Sequence, residues 1–284
     1  MLNVATLAAQ AFGSHLGETY RHYFGGRGGD FATLIDAGAR LVVERIACSD
    51  ALYHNYEHTI LVTLVGQEII RGKLLVEPLE PEDWLHFIYA LLCHDIGFVR
   101  GACAGDDADG VVIDEAGGRM EWPRGASDAL LAPYHVTRGK IAVRERFAGH
   151  RSLDSERIAR AIELTRFPVP GDDDHKETAT EAGLVRAADL IGQLSDPNYL
   201  AKLNALFHEL KETGAAAAMG VESPADLLDC YPTFFWNAVE PFIGDGLRYL
   251  TMTVEGKRWI ASLYGNVTMA EHHRVGPGDT SNWA

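Results

Sequence analysis

The residue types that could do chemistry fall at three places in the 284-residue chain: Tyr53-His54-Asn55-Tyr56-Glu57-His58, then His94-Asp95-Ile96-Gly97, and later Asp189. His54 and His58 stand four apart, ahead of the apolar run Ile60, Leu61, Leu64, Val65 and Ile69. That spacing predicts one helix with both imidazoles on the same face, able to share a site. His94 and Asp95 end a segment, Trp84 to Cys93, that is apolar on nearly every side and reads as a buried helix. A neutral polar group buried there costs about 2 to 7 kcal/mol unless it is paired or coordinated, and a charge costs more. Gly97 is expected to take a positive φ, so that the chain leaves the helix at once.

These residues resemble the His/Asp (HD) superfamily of metal-dependent phosphohydrolases, over roughly residues 49–200. Tyr53-His54-Asn55-x-x-His58 is similar to the form found in class I cyclic-nucleotide phosphodiesterases. The resemblance implies His58, His94, Asp95 and Asp189 as ligands of a first metal, Asp95 as a catalytic bridge to a second, and His54 as the proton donor. Asp189 sits among Ala182, Val185, Ala188, Leu190 and Ile191 in a helical pattern over 178–194, where an isolated carboxylate is costly and a coordinated one is satisfied. Two-metal members commonly add a histidine from each of two further helices. His135 fits the first of these places, with His150 as runner-up, whereas Thr165-Arg166 stands at the second and does not match. A complete first site and a weak or water-rich second one are therefore expected.

Two imidazoles and two carboxylates with open positions suit one or two ions of Mn, Fe, Zn, Co or Mg. The expected reaction is hydrolysis of a nucleotide or cyclic-nucleotide phosphodiester by metal-activated hydroxide, with His54 protonating the leaving oxygen. Arg138, Lys140 and Arg166 are candidates for phosphate charge, and Gln193, one turn beyond Asp189, for a substrate contact. The alternatives are a nucleotide phosphomonoesterase, an HD-fold di-iron oxygenase, and a metal-binding regulatory protein without turnover. The unmatched Thr165-Arg166 counts against the oxygenase.

Composition narrows the partners. A net charge of −15 argues against binding duplex nucleic acid, which needs clustered Lys and Arg, but allows a small phosphorylated substrate held through a metal. The four cysteines form no Cys-x-x-Cys pair, so neither a thiolate zinc site nor a disulfide framework is suggested. No apolar run reaches the length of a membrane span and no signal peptide is evident, so a cytoplasmic protein is expected; homo-oligomerisation stays open.

The elements that must position the site read as helices throughout. One all-α domain over 1–284 is expected, with an HD-type core at 49–200 and packing helices at 1–48 and 201–270. Helices are predicted over 1–24, over 31–47 with Asp30 as cap and a buried stripe including Leu41, and from a Ser49 or Asp50 cap through His54 and His58. Residues 99–133 read as a long irregular segment beside the site, with Asp106, Asp107 and Asp109 in a solvated turn rather than a cation loop. Asp196-Pro197 and Ser223-Pro224 start two further helices. Residues 231–254 read as one long helix bent at Pro241, whose aromatic residues are expected to pack in the core. Val275 to Ala284 reads as a loose tail.

Overall fold

A computed structural model describes residues 3–274, and the tail expected from Val275 onward lies outside them. The chain is predominantly helical: α1 (Val4–Phe24), α2 (Phe31–Ile46), α3 (Tyr56–Leu74), α4 (Pro81–Cys93), α5 (His135–Phe147), α6 (Ser155–Glu163), α7 (Glu181–Leu194), α8 (Tyr199–Glu212), α9 (Ala215–Ala218), α10 (Pro224–Phe234), α11 (Glu240–Leu250) and α12 (Val254–Arg274). None of the described helices is long and apolar enough to cross a membrane.

At the centre lies α4. Pro81 opens its first turn, the Asp83 carboxylate accepts from the Glu80 N–H, and every residue of the helix except Glu82 and Asp83 is buried. Such burial is worth roughly 1.5–3 kcal/mol for each large apolar side chain. Around α4 pack α2, α3, α6 and α7, and one continuous apolar cluster runs from Ala9 in α1 to Ala270 in α12. Helix α7 presses against α3 at Gly192, where an added Cβ would lie 2.6 Å from the Val62 Cα. Asp189 is one turn before that crossing.

Several boundaries differ from the sequence reading, each for a local reason. The helix carrying His58 begins at Tyr56, not at Ser49 or Asp50, because Asn55 takes the cap and its side chain accepts from the N–H groups of Glu57 and His58. Asp30 occupies the position before α2 but makes no capping bond, and Leu41 is half exposed rather than buried. The predicted helix over 231–254 is broken: Phe235–Val239 forms a π-type turn, and Pro241, in the first turn of α11, restarts the helix. Phe235 and Tyr249 pack in the core as expected, but Trp236 is exposed.

The segment 99–133 is not structureless. It holds a short antiparallel hairpin, β1 (Gly110–Val112) with β2 (Arg119–Glu121), paired through Val111 and Met120, and a 3-10 turn at Asp128–Leu131. Polar anchors fix it at several points: the Asp128 N–H donates to Asp50, the Ser127 N–H to Glu212, and Arg138 of α5 donates to the carbonyls of Val99 and Val112. Asp106 is not a solvated turn residue. Its buried carboxylate accepts from Arg138 and from the N–H groups of Gly101 and Val112.

Candidate metal centre

Three stretches supply one cluster. His58 comes from the first turn of α3, His94 and Asp95 from the C-terminal end of α4, and Asp189 from the middle of α7. His58 Nε2 lies 3.2 Å from Asp95 Oδ2 and 3.5 Å from Asp189 Oδ1. His94 Nε2 lies 3.2 and 3.6 Å from the same two oxygens, and 3.4 Å from His58 Nε2. Donor atoms about 2.1 Å from a Zn- or Mg-sized ion, at tetrahedral to octahedral angles, stand roughly 3.0–3.4 Å apart, so His58 Nε2, His94 Nε2 and Asp95 Oδ2 have the spacing of one coordination shell, with Asp189 Oδ1 slightly farther from the two imidazoles.

Two further observations fit an ion. Asp95 Oδ2 is buried with no hydrogen-bond partner, a costly state for a carboxylate oxygen that a cation relieves. His94 Nδ1 donates to the Leu91 carbonyl at 2.7 Å, which leaves the Nε2 lone pair of the neutral ring aimed at the cluster. His58, His94 and Asp95 thus form a buried group able to hold a metal, and Asp189, slightly more exposed, stands beside the two imidazoles.

Without an ion the cluster is held by charge. Burial works against protonation of both imidazoles, but Asp95 and Asp189 outweigh it, raising His58 above its ordinary range and His94 to about 9. Burial likewise works against the Asp95 carboxylate, yet His94 and His58 hold it well below the usual range. A cation arriving at this site replaces protons as the partner of the carboxylates.

Gly97 has no positive φ, contrary to expectation. Its reason is proximity: an added Cβ would lie 1.9 Å from the His135 carbonyl, where α5 crosses the turn at Ile96–Phe98. The same crossing brings His135 to the cluster, its Nε2 3.8 Å from Asp95 Oδ1. Its Nδ1 donates to the Ala132 carbonyl, and burial lowers its pKa, so the ring is neutral with Nε2 free.

His54 is not on the helix with His58. It lies in the turn before the Asn55 cap, with its ring 5.5 Å from that of His58 and partly exposed. Its Nδ1 is 2.6 Å from Glu209 Oε2, while the other oxygen of Glu209 accepts from the backbone N–H groups of Tyr53 and His54. Burial lowers the pKa of His54, but the Glu209 charge and hydrogen bond outweigh it and the net shift is upward. Glu209 was missed in the sequence. It sits on α8 some 155 residues away, in an ordinary-looking helical stretch, and only the tertiary fold reveals it. Phe98 was missed too: its ring stacks on both His54 and His135, at 4.5 Å from each, with those two rings 6.5 Å apart.

The sequence model of the Npun_R2479-like family matches residues 2–273. The chain belongs to that family. No curated protein matches it.

In this Npun_R2479-like chain the remaining nominated residues do not join the site. Arg138 is fully buried and its donors are taken by Asp106 and by the carbonyls of Gly97, Val99 and Val112, so it braces the hairpin segment rather than facing a substrate. Lys140 is paired with Glu163 and Glu115, and Arg166 with Glu163. Thr165 is buried with its hydroxyl on the Ile162 carbonyl, and His150 is exposed and accepts from Ser152 and Leu153. Gln193 remains half buried one turn from Asp189, beside Tyr199.

Proposed function

We propose that the protein is a metal-dependent phosphohydrolase acting on a nucleotide or cyclic-nucleotide phosphodiester. The observation that carries the reading is the buried cluster of His58, His94 and Asp95, with Asp189 beside both imidazoles and an Asp95 oxygen that no protein group satisfies. The Tyr53-His54-Asn55 resemblance to cyclic-nucleotide phosphodiesterases supplies the substrate class.

His58, His94, Asp95 and Asp189 would hold the ion, which when bound supplies Lewis-acid polarisation of a phosphoryl oxygen and lowers the pKa of water. The chain's own residues do the rest. Glu209 orients His54 by accepting from Nδ1, and it raises the pKa of the ring, favouring the protonated form, whose Nε2 hydrogen can pass to the departing ester oxygen. A diester leaves an alkoxide that needs this proton. His135, held neutral, offers Nε2 as an acceptor beside Asp95. Since Arg138, Lys140 and Arg166 are committed to carboxylates, phosphate charge would be balanced by a bound ion and by His54 in its protonated form.

The test is metal analysis paired with hydrolysis of bis(p-nitrophenyl) phosphate and p-nitrophenyl phosphate in added Mn. The His54→Ala variant should keep its metal and lose about 10²–10⁴-fold in diester turnover, the usual worth of a general acid. The Asp95→Ala variant should lose both metal and turnover. Parent-rate diester cleavage by the His54 variant would sink the acid assignment, and a monoester preference would turn the reading to a phosphatase.

A further inference from the structure

A cleft of about 650 Å³ opens away from the metal centre. It lies between α2, α4 and α5, on the far side of the chain from the cluster: Cys93 and Ile96 line it, whereas the intervening His94 and Asp95 do not. Its volume falls within the roughly 300–1,000 Å³ of pockets that hold small organic ligands.

The chemistry of its walls is lopsided. Leu34, Val42, Val143, Phe147 and Leu153 make most of it apolar, and the half-exposed Leu41 stands at its edge. Its ionisable side chains besides Tyr89 and Cys93 are Arg45, Arg146 and His150, with no Asp or Glu among the lining residues. In a chain with 40 acidic residues against 25 Lys and Arg, an acid-free cleft carrying three basic groups stands apart from the rest of the molecule.

Among the described residues none of these basic groups is paired with a carboxylate. Among the described residues neither Arg45 nor Arg146 makes an ion pair; Arg45 spends one nitrogen on the Gly101 carbonyl, and Arg146 is exposed. Glu145, the neighbour of Arg146, is turned to the Ala104 N–H. His150 Nδ1 accepts from the Ser152 and Leu153 N–H groups, which places the hydrogen of the neutral ring on Nε2 as a further donor.

We propose that this cleft binds an amphipathic anion: an apolar chain seated on the α2 and α5 side chains, with a carboxylate or phosphate head met by Arg45, Arg146 and His150. Apolar burial supplies most of the affinity, and the two guanidinium groups choose an anionic head over a neutral one. The site is separate from the metal centre and stands whether or not phosphoesters are cleaved.

Isothermal titration of the full chain with decanoate, decyl phosphate and decanol tests the proposal. Both anions should bind, and decanol should bind at least about tenfold more weakly, as expected when a charge-assisted hydrogen bond is lost. The surface substitution Arg146→Glu should weaken the anions by a similar factor and leave decanol unchanged. Ala37→Trp, at an exposed position on the cleft wall, should abolish binding of all three, with circular dichroism confirming the fold. The stronger anion tells a fatty carboxylate from a phosphorylated lipid head. Absence of binding, equal binding of decanol, or parent-like anion binding by either variant would overturn the proposal.

Discussion

Two buried charged clusters lie close together in sequence, and they differ in what is left over. Around Asp106, both carboxylate oxygens are taken up by Arg138 and by backbone N–H groups of Gly101, Cys103 and Val112. Around Asp95, two imidazoles approach Oδ2 at 3.2 Å without completing a hydrogen bond, and that atom has no partner. Both aspartates are equally hidden from water, so burial of charge by itself does not mark a functional site. Unused bonding capacity does: a saturated cluster is a brace, and an unsaturated one is waiting for a ligand.

The largest effect that would break this comparison is on folding. The Arg138→Met variant leaves Asp106 buried without its cation and should cost about 3–5 kcal/mol of stability in urea unfolding. A loss below about 1 kcal/mol, the scale of an exposed pair, would show that the arginine is not the brace.

Next comes metal. Mn at a hundredfold excess over its Kd should stabilise the parent by about 2.7 kcal/mol and Asp95→Asn not at all. The Arg138→Met protein, if folded, should keep that gain. A metal response that survives Asp95→Asn would remove the distinction between the clusters.

A smaller change sharpens it. Glu209→Gln should lower diester turnover by about tenfold, the lower end for an outer-shell partner. Because Glu209 raises the pKa of His54, the protonated acid is lost at a lower pH in the variant, and the alkaline limb of the pH–rate profile should move down.

The smallest effect concerns a partly exposed trio unlike either cluster. Burial works against the Glu163 carboxylate, but Arg166 and Lys140 hold it down from the ordinary 4.5 to about 2. Its folded value is depressed, so its contribution is present above pH 4.5 and fades as pH falls towards 2. Glu163→Gln should flatten that acid limb of the stability profile, by less than about 1 kcal/mol and regardless of metal.

The helical class was legible because it rests on local apolar periodicity, and the grouping of His58, His94 and Asp95 because their spacing resembles a known family's motif, which periodicity alone does not assemble. What was not legible depends on contacts far apart in the chain. Arg138 looks like any helix-borne cation until the hairpin closes over it, and Glu209 like any surface carboxylate until α8 meets the turn at Tyr53. Gly97 was correctly singled out for the wrong reason, since a sequence shows that a side chain is missing but not whether torsion or a neighbouring backbone requires it. Asn55 was readable as a cap in principle, but Ser49 and Asp50 offered the same chemistry earlier in the chain.

The stack on Phe98 couples parts of the site that bonding leaves independent. His54 is steered by α8 and His135 by the start of α5, yet both rest on one phenyl ring. With the two imidazoles 6.5 Å apart and each 4.5 Å from the phenyl ring, Phe98 serves as a common footing that sets how far one histidine stands from the other. Trimming that ring would detune two histidines at once, and a single apolar change would then read in kinetics as the loss of two polar groups.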